Sequence, residues 1–106
     1  MSDIPSAVRK AVKERQNDQC ARCGAAGAEH HHRMRRREGG HGKANIVYLC
    51  RTDHRWVHAH PGLAQEQGYI IPTHVDVAAI CTVPLKSFMG RVLFDDVGGV
   101  HFAEDN

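Results

Sequence analysis

The sequence predicts an α+β protein, and three observations carry that prediction. An N-terminal segment repeats apolar residues every four positions. Two later segments are rich in β-branched and aromatic residues and are bounded by turn signals. Between them runs a stretch with the period of a helix whose polar face carries two histidines.

Residues 3–16 are read as the first helix, with Asp3 as cap, Pro5 in the first turn, and Ile4, Val8 and Val12 on one face. Cys20-Ala-Arg-Cys23-Gly24 follows as a tight knuckle, in which Gly24 lets the chain turn away. A strand is predicted to begin at His30 and run toward Arg37, broken by the loop Gly39-Gly40-His41-Gly42, which Asn45 closes. Ile46-Val47-Tyr48-Leu49 is a short strand ending at Cys50, and RTDHRWVHAH is a helix with His54 and His58 one turn apart. Pro61-Gly62 ends or bends that helix, and a short apolar run, Tyr69-Ile70-Ile71, follows. Arg91–Phe94 and Val100–Phe102, joined through Asp95-Asp96-Val97-Gly98-Gly99, read as a hairpin. Neither a repeat nor a low-complexity segment is evident, so residues 1–106 are read as one domain, with a core over about 17–68 and a β extension over about 69–106.

At 106 residues with 6% aromatics and a mean hydropathy of -0.46, the chain can build only a modest core. Four cysteines and nine histidines point to metal as the additional support. The N-terminal residues contain no secretory or membrane-spanning apolar stretch, which predicts a reducing, cytoplasmic setting and no membrane partner. Net charge is only +2, yet Arg33, Arg35, Arg36 and Arg37 crowd beside three consecutive histidines and predict a local positive patch for phosphate.

Cys20, Cys23 and Cys50 offer three thiolates, and a structural zinc takes four ligands. Asp53 stands where a second C-x-x-C pair would place its last cysteine. It can complete a site of three thiolates and one carboxylate; another fourth ligand, or no zinc, are the remaining readings. His54 and His58 on one helix face, with one histidine from a distant strand, can form a three-imidazole site with an open position. Neighbouring strand residues point to opposite faces, so His31 and His32 are expected to divide the work, one holding metal and the other free to take a proton. Trp56 and Val57 are read as packing their helix onto the hairpin, Asp95 and Asp96 as turn residues, and Cys81 as core. His41, His60, His74 and His101 are read as surface or satisfied polar residues.

The order C20-x-x-C23-G24, H31-H32-R33, G39-G40, N45-I46-V47-x-L49-C50, H54-x-x-V57-H58 resembles the HNH, or ββα-metal, nucleases, particularly small phage and actinobacterial members with a zinc knuckle. The nuclease colicins, a branch of that superfamily, are similar in having a histidine pair followed after six residues by Gly-Gly. The resemblance implies a ββα-metal core carrying an N-terminal helix, a zinc knuckle and a C-terminal β-hairpin extension. It implies that His31, His54 and His58 hold one catalytic divalent ion (Mg, Mn, Ni or Zn), that His32 is the general base, and that Asn45 holds the loop and orients His32. Cys20, Cys23, Cys50 and Asp53 would hold a structural zinc, although relatives carry cysteine or histidine at the Asp53 position. DNA would be the substrate, with Arg33, Arg35, Arg36, Arg37, Arg51 and Arg55 facing its backbone. Two other functions fit the same residues: a non-catalytic zinc-dependent DNA-binding module, or an accessory subunit working with phage terminase or other packaging proteins.

Overall fold

The computed structural model describes residues 4–103; the Asp3 cap lies outside them. Helix α1 spans Ser6–Arg15 and begins after Pro5, whose fixed φ of -55° suits helix entry. Val8 and Val12 of the helix, with Ile4 just before it, pack with Ile46 and Tyr48 in a small apolar cluster. Arg15 ties the helix down, donating to the carbonyls of Lys43 and Ile46 while its guanidinium lies 3.5 Å from the Phe94 ring centre. The chain then reverses through Asn17 and Asp18, both left-handed, a conformation these two residue types tolerate.

Strand β1 (Glu29–His32) pairs antiparallel with β2 (Ile46–Leu49), with His31 opposite Val47 and His32 opposite Ile46. Between them lie a single helical turn, α2 (Arg36–Gly39), and a 3-10 turn at Lys43–Asn45. Helices α3 (Arg51–Ala59) and α4 (Pro61–Glu66) follow, Pro61 occupying the first turn of α4. A second 3-10 segment, Val77–Thr82, leads to a separate antiparallel sheet of β3 (Leu85–Ser87), β4 (Gly90–Phe94) and β5 (Val100–Phe102) in that order.

The predicted strand toward Arg37 stops at His32 because Arg33 turns inward. Arg33 is 2% exposed, and its guanidinium donates to the carbonyls of Gly68, Ala44 and Val83. Three carbonyl acceptors offset the cost of burying the charge and stitch the loop to the two segments flanking the later sequence. Tyr69-Ile70-Ile71 joins no sheet; Ile71 N–H donates instead to the Arg33 carbonyl. The hairpin expected near the C-terminus is present and gains β3 as a third strand. This region covers the core rather than standing apart: Tyr69, Ile71, Ile80, Leu85, Val92 and Phe94 are buried with Cys20, Val47, Leu49 and Val57 in one cluster. Cys81 is half-buried at its edge. Among the described residues no helix is long and apolar enough to cross a membrane.

Candidate metal centres

Two donor clusters flank α3. At its start, Cys50 is the N-cap residue and Asp53 lies in the first turn, so both side chains are presented toward the knuckle. Gly24, at φ +80°, turns the chain so that Cys20 and Cys23 face them. One donor atom from each of Cys20, Cys23, Cys50 and Asp53 lies within 4.8 Å of the others. Zinc–sulfur bonds of about 2.3 Å in a tetrahedron place two thiolates roughly 3.8 Å apart. Cys23 Sγ and Cys50 Sγ are 3.8 Å apart. The matching sulfur–oxygen edge is roughly 3.6 Å, and Asp53 Oδ2 lies 3.1 Å from Cys20 Sγ and 3.5 Å from Cys50 Sγ. The four side chains fit a small tetrahedral cation in number, donor type and spacing.

Arg22 completes this cluster from outside. Its Nη1 donates to Asp53 Oδ1 at 2.8 Å while its guanidinium lies 3.6 Å from the centre of the Trp56 ring. Only Oδ2 of Asp53 is thereby left toward the cysteines. Burial pushes the Asp53 carboxyl up, but hydrogen bonds from Cys23, Cys20, Arg22 and Cys50 outweigh it and hold the group below its usual value. Burial and the neighbouring carboxylate raise the Cys20 and Cys23 thiols, a cost that a bound cation reverses. Trp56 therefore does more than pack the helix: it carries Arg22 over its ring and stacks with His60, while Val57 is fully buried in the core as expected.

The second cluster joins β1 to the middle and last turn of α3. His31, His54 and His58 each place a ring nitrogen within 4.8 Å of the others. Their outer hydrogen bonds decide which nitrogens are available. A carbonyl only accepts, so His31 Nε2–H donates to the Tyr69 carbonyl at 2.7 Å and the lone pair stays on Nδ1. His54 Nδ1–H donates to Glu29 Oε1 at 2.9 Å, leaving Nε2 free, and that atom lies 3.3 Å from His58 Nε2. Nitrogen ligands at about 2.0–2.1 Å in a tetrahedron are roughly 3.3 Å apart. The set therefore fits a divalent ion held by three imidazoles, with His58 exposed and a side open to solvent. Burial, opposed by the Tyr69 hydrogen bond, lowers His31 to about 4, which keeps it neutral at pH 7 as ligation requires. The bond to His54 holds the Glu29 carboxyl below its usual range.

His32 lies on the opposite strand face with His30, as alternation predicts. Its Nε2 sits 3.1 Å from Nδ1 of His41. Burial, then the neighbouring His41 and Arg36, lower its proton affinity. Asn45 does hold the loop: Oδ1 accepts from Met34 N–H, and Nδ2 donates to the carbonyls of Met34 and Gly40. Among the described residues no side-chain hydrogen bond joins Asn45 to His32; its backbone carbonyl accepts from the N–H of Arg33, the residue after His32.

Arg33 is also withdrawn from the phosphate-facing set, because its guanidinium is buried and spent on three carbonyls. Arg35, at the N-cap of α2, and Arg36 and Arg37 on it are exposed, with Arg35 3.4 Å from Glu38. Arg51 and Arg55 are exposed on α3 beside the histidine cluster, Arg51 lying 3.9 Å from Glu29. Sequence reasoning missed Glu29, Arg22 and His41. Glu29 alone carried a usable signal, since the alternation that separates His31 from His32 puts residue 29 on the face of His31. Asp95 and Asp96 act as turn and loop acceptors, for Val97 and Gly99 and for Ala44 respectively. Compared with family models, curated proteins and solved structures, the chain matches none.

Proposed function

We propose that this chain is a metal-dependent DNA endonuclease of the HNH, or ββα-metal, type. The observation that carries the reading is the convergence of His31 from β1 with His54 and His58 from α3 on one open point, with His32 displayed on the other face of the same strand. Three imidazoles with a vacant side make a catalytic rather than a closed ligand set. A bound divalent ion there supplies Lewis-acid stabilisation of charge on the phosphate and on the leaving 3′-oxygen. His31 and His54 are held in ligating tautomers by the Tyr69 carbonyl and the Glu29 carboxylate. His32 takes the proton of the attacking water through Nδ1, the ring nitrogen that has no partner among the described residues. Arg35, Arg36, Arg37, Arg51 and Arg55 neutralise the DNA backbone and position it without reading sequence. The products are a 3′-hydroxyl and a 5′-phosphate. Cys20, Cys23, Cys50 and Asp53 hold a structural zinc that fixes the start of α3 against the knuckle.

Plasmid cleavage by the purified chain, chelated and then resupplied with Mg²⁺, Mn²⁺, Ni²⁺ or Zn²⁺, tests this. Wild type nicks with at least one metal, and His32→Ala loses about a hundredfold or more of the rate. Nicking that persists in His32→Ala sinks the base assignment. DNA binding without cleavage under every metal favours the non-catalytic module, and cleavage that appears only with packaging proteins favours the accessory subunit.

A further inference from the structure

His41, read from the sequence as an ordinary surface residue, makes the only side-chain hydrogen bond given to His32 among the described residues. The two rings face each other at 5.2 Å between centroids, tilted by 52°, with Nε2 of His32 against Nδ1 of His41. Between two imidazole nitrogens one must carry the proton. If His41 Nδ1–H donated, it would consume the Nε2 lone pair of His32 and place hydrogen on the Nδ1 that faces no protein group. If His32 Nε2–H donates, both rings adopt the Nε2–H tautomer that neutral histidine favours in water, and His32 Nδ1 keeps its lone pair.

The loop that presents His41 is unusually well held for a glycine-rich segment. Asn45 Nδ2 grips the Gly40 carbonyl, one residue before His41, at 3.0 Å, and also the Met34 carbonyl at 2.9 Å. The clamp fits because residue 39 is glycine: a Cβ there would lie 2.6 Å from Asn45 Nδ2. Gly40 has φ +72°, a left-handed turn that redirects the chain into His41. On the far side, Ala44 N–H donates to Asp96 Oδ1. Asn45 thus touches the loop carrying His41, and His41 touches His32, where no direct Asn45–His32 side-chain bond exists.

We propose that His41 is a positioning residue that accepts the Nε2–H of His32 and so keeps the His32 lone pair on Nδ1, with Asn45 acting on His32 through the loop that carries His41. The catalytic consequence rests on the nuclease reading above; the hydrogen bond does not.

The test compares wild type, His41→Ala and His41→Asn as full chains, with whichever of Mg²⁺, Mn²⁺, Ni²⁺ and Zn²⁺ supports the fastest nicking by wild type. Nicking kinetics are paired with long-range ¹⁵N–¹H spectra of the imidazole rings. Asparagine places an acceptor oxygen near the position of Nδ1, whereas alanine removes it. The expected result is a kcat about ten- to a hundredfold lower for His41→Ala with KM little changed, and recovery of most of it in His41→Asn. In the spectra, His32 is protonated at Nε2 alone in wild type and His41→Asn, and exchanges between tautomers in His41→Ala. Unchanged kcat in His41→Ala, an asparagine variant no better than alanine, or an Nδ1–H tautomer of His32 in wild type each overturns the proposal. A wild type that fails to cut with any of the four metals overturns the nuclease reading and the catalytic consequence together, while the spectra still decide the hydrogen bond.

Discussion

The two donor clusters draw on the same nine-residue helix, one at its start and one further along, yet they are built in opposite ways. Cys20, Cys23, Cys50 and Asp53 supply four donors, two of them buried, and Arg22 occupies the only carboxylate oxygen that faces away. His31, His54 and His58 supply three, grade from buried to exposed, and are braced from behind by an acceptor on two of the rings. A filled donor set offers a cation no position for water or phosphate, whereas an incomplete one does. The contrast fits the proposed division between holding the fold and doing chemistry, and each half can be broken without the other.

The largest expected effect is a crossed pair. His54→Ala removes plasmid nicking by about a hundredfold or more while thermal unfolding shifts by only a few degrees. Cys20→Ser does the reverse to stability: a loss of about 2–3 kcal/mol lowers Tm by roughly 10–20 °C in a domain of this size. Circular dichroism melts beside a nicking assay read both. Equal loss of Tm in the two variants would erase the distinction between the centres.

Protonation of His31 gives the next effect. Its folded-state value of about 4 lies below the ordinary 6.5, so the unfolded chain binds the proton more readily. The contribution is fully present above pH 6.5 and is lost as pH falls through about 4, up to roughly 3 kcal/mol in all. Urea unfolding between pH 7 and 4 should therefore fall more steeply for wild type than for His31→Asn. Thiolate protonation weakens the cysteine site equally in both proteins, so the difference between them isolates His31. Parallel curves would show that His31 is not buried as a neutral ring.

Two smaller changes sharpen the comparison. Glu29→Gln leaves His54 an amide in place of a carboxylate and is expected to weaken Mn²⁺ or Zn²⁺ binding at the histidine site about ten- to a hundredfold by calorimetry, with Tm nearly unchanged. Asp53→Cys converts the other site to four thiolates and is expected to tighten Co²⁺ binding by about tenfold, with a stronger sulfur-to-metal charge-transfer band. If Asp53→Cys binds no better, Asp53 is an ion-pair partner of Arg22 alone.

What was legible in the sequence was local. The C-x-x-C spacing, the i, i+4 pair His54 and His58, and the period of two that parts His31 from His32 depend only on helix and strand geometry, and all are realised. The hairpin and the Gly24 turn follow from residue types with strong backbone preferences. What the tertiary structure decided lies in contacts far apart along the chain. Arg33 reads as a phosphate-binding charge beside Arg35, Arg36 and Arg37, but three carbonyls from distant segments capture it. Arg22 and Asp53 meet across 31 positions, and Glu29 and His54 across 25. His41 comes against His32 across a loop whose two ends, at Met34 and Gly40, are both bonded to Asn45. Spacing alone determined which donors could share a point, since helix and strand periodicity are backbone properties. Which groups brace those donors depended on packing, because a side chain's partner is set by the elements that close around it.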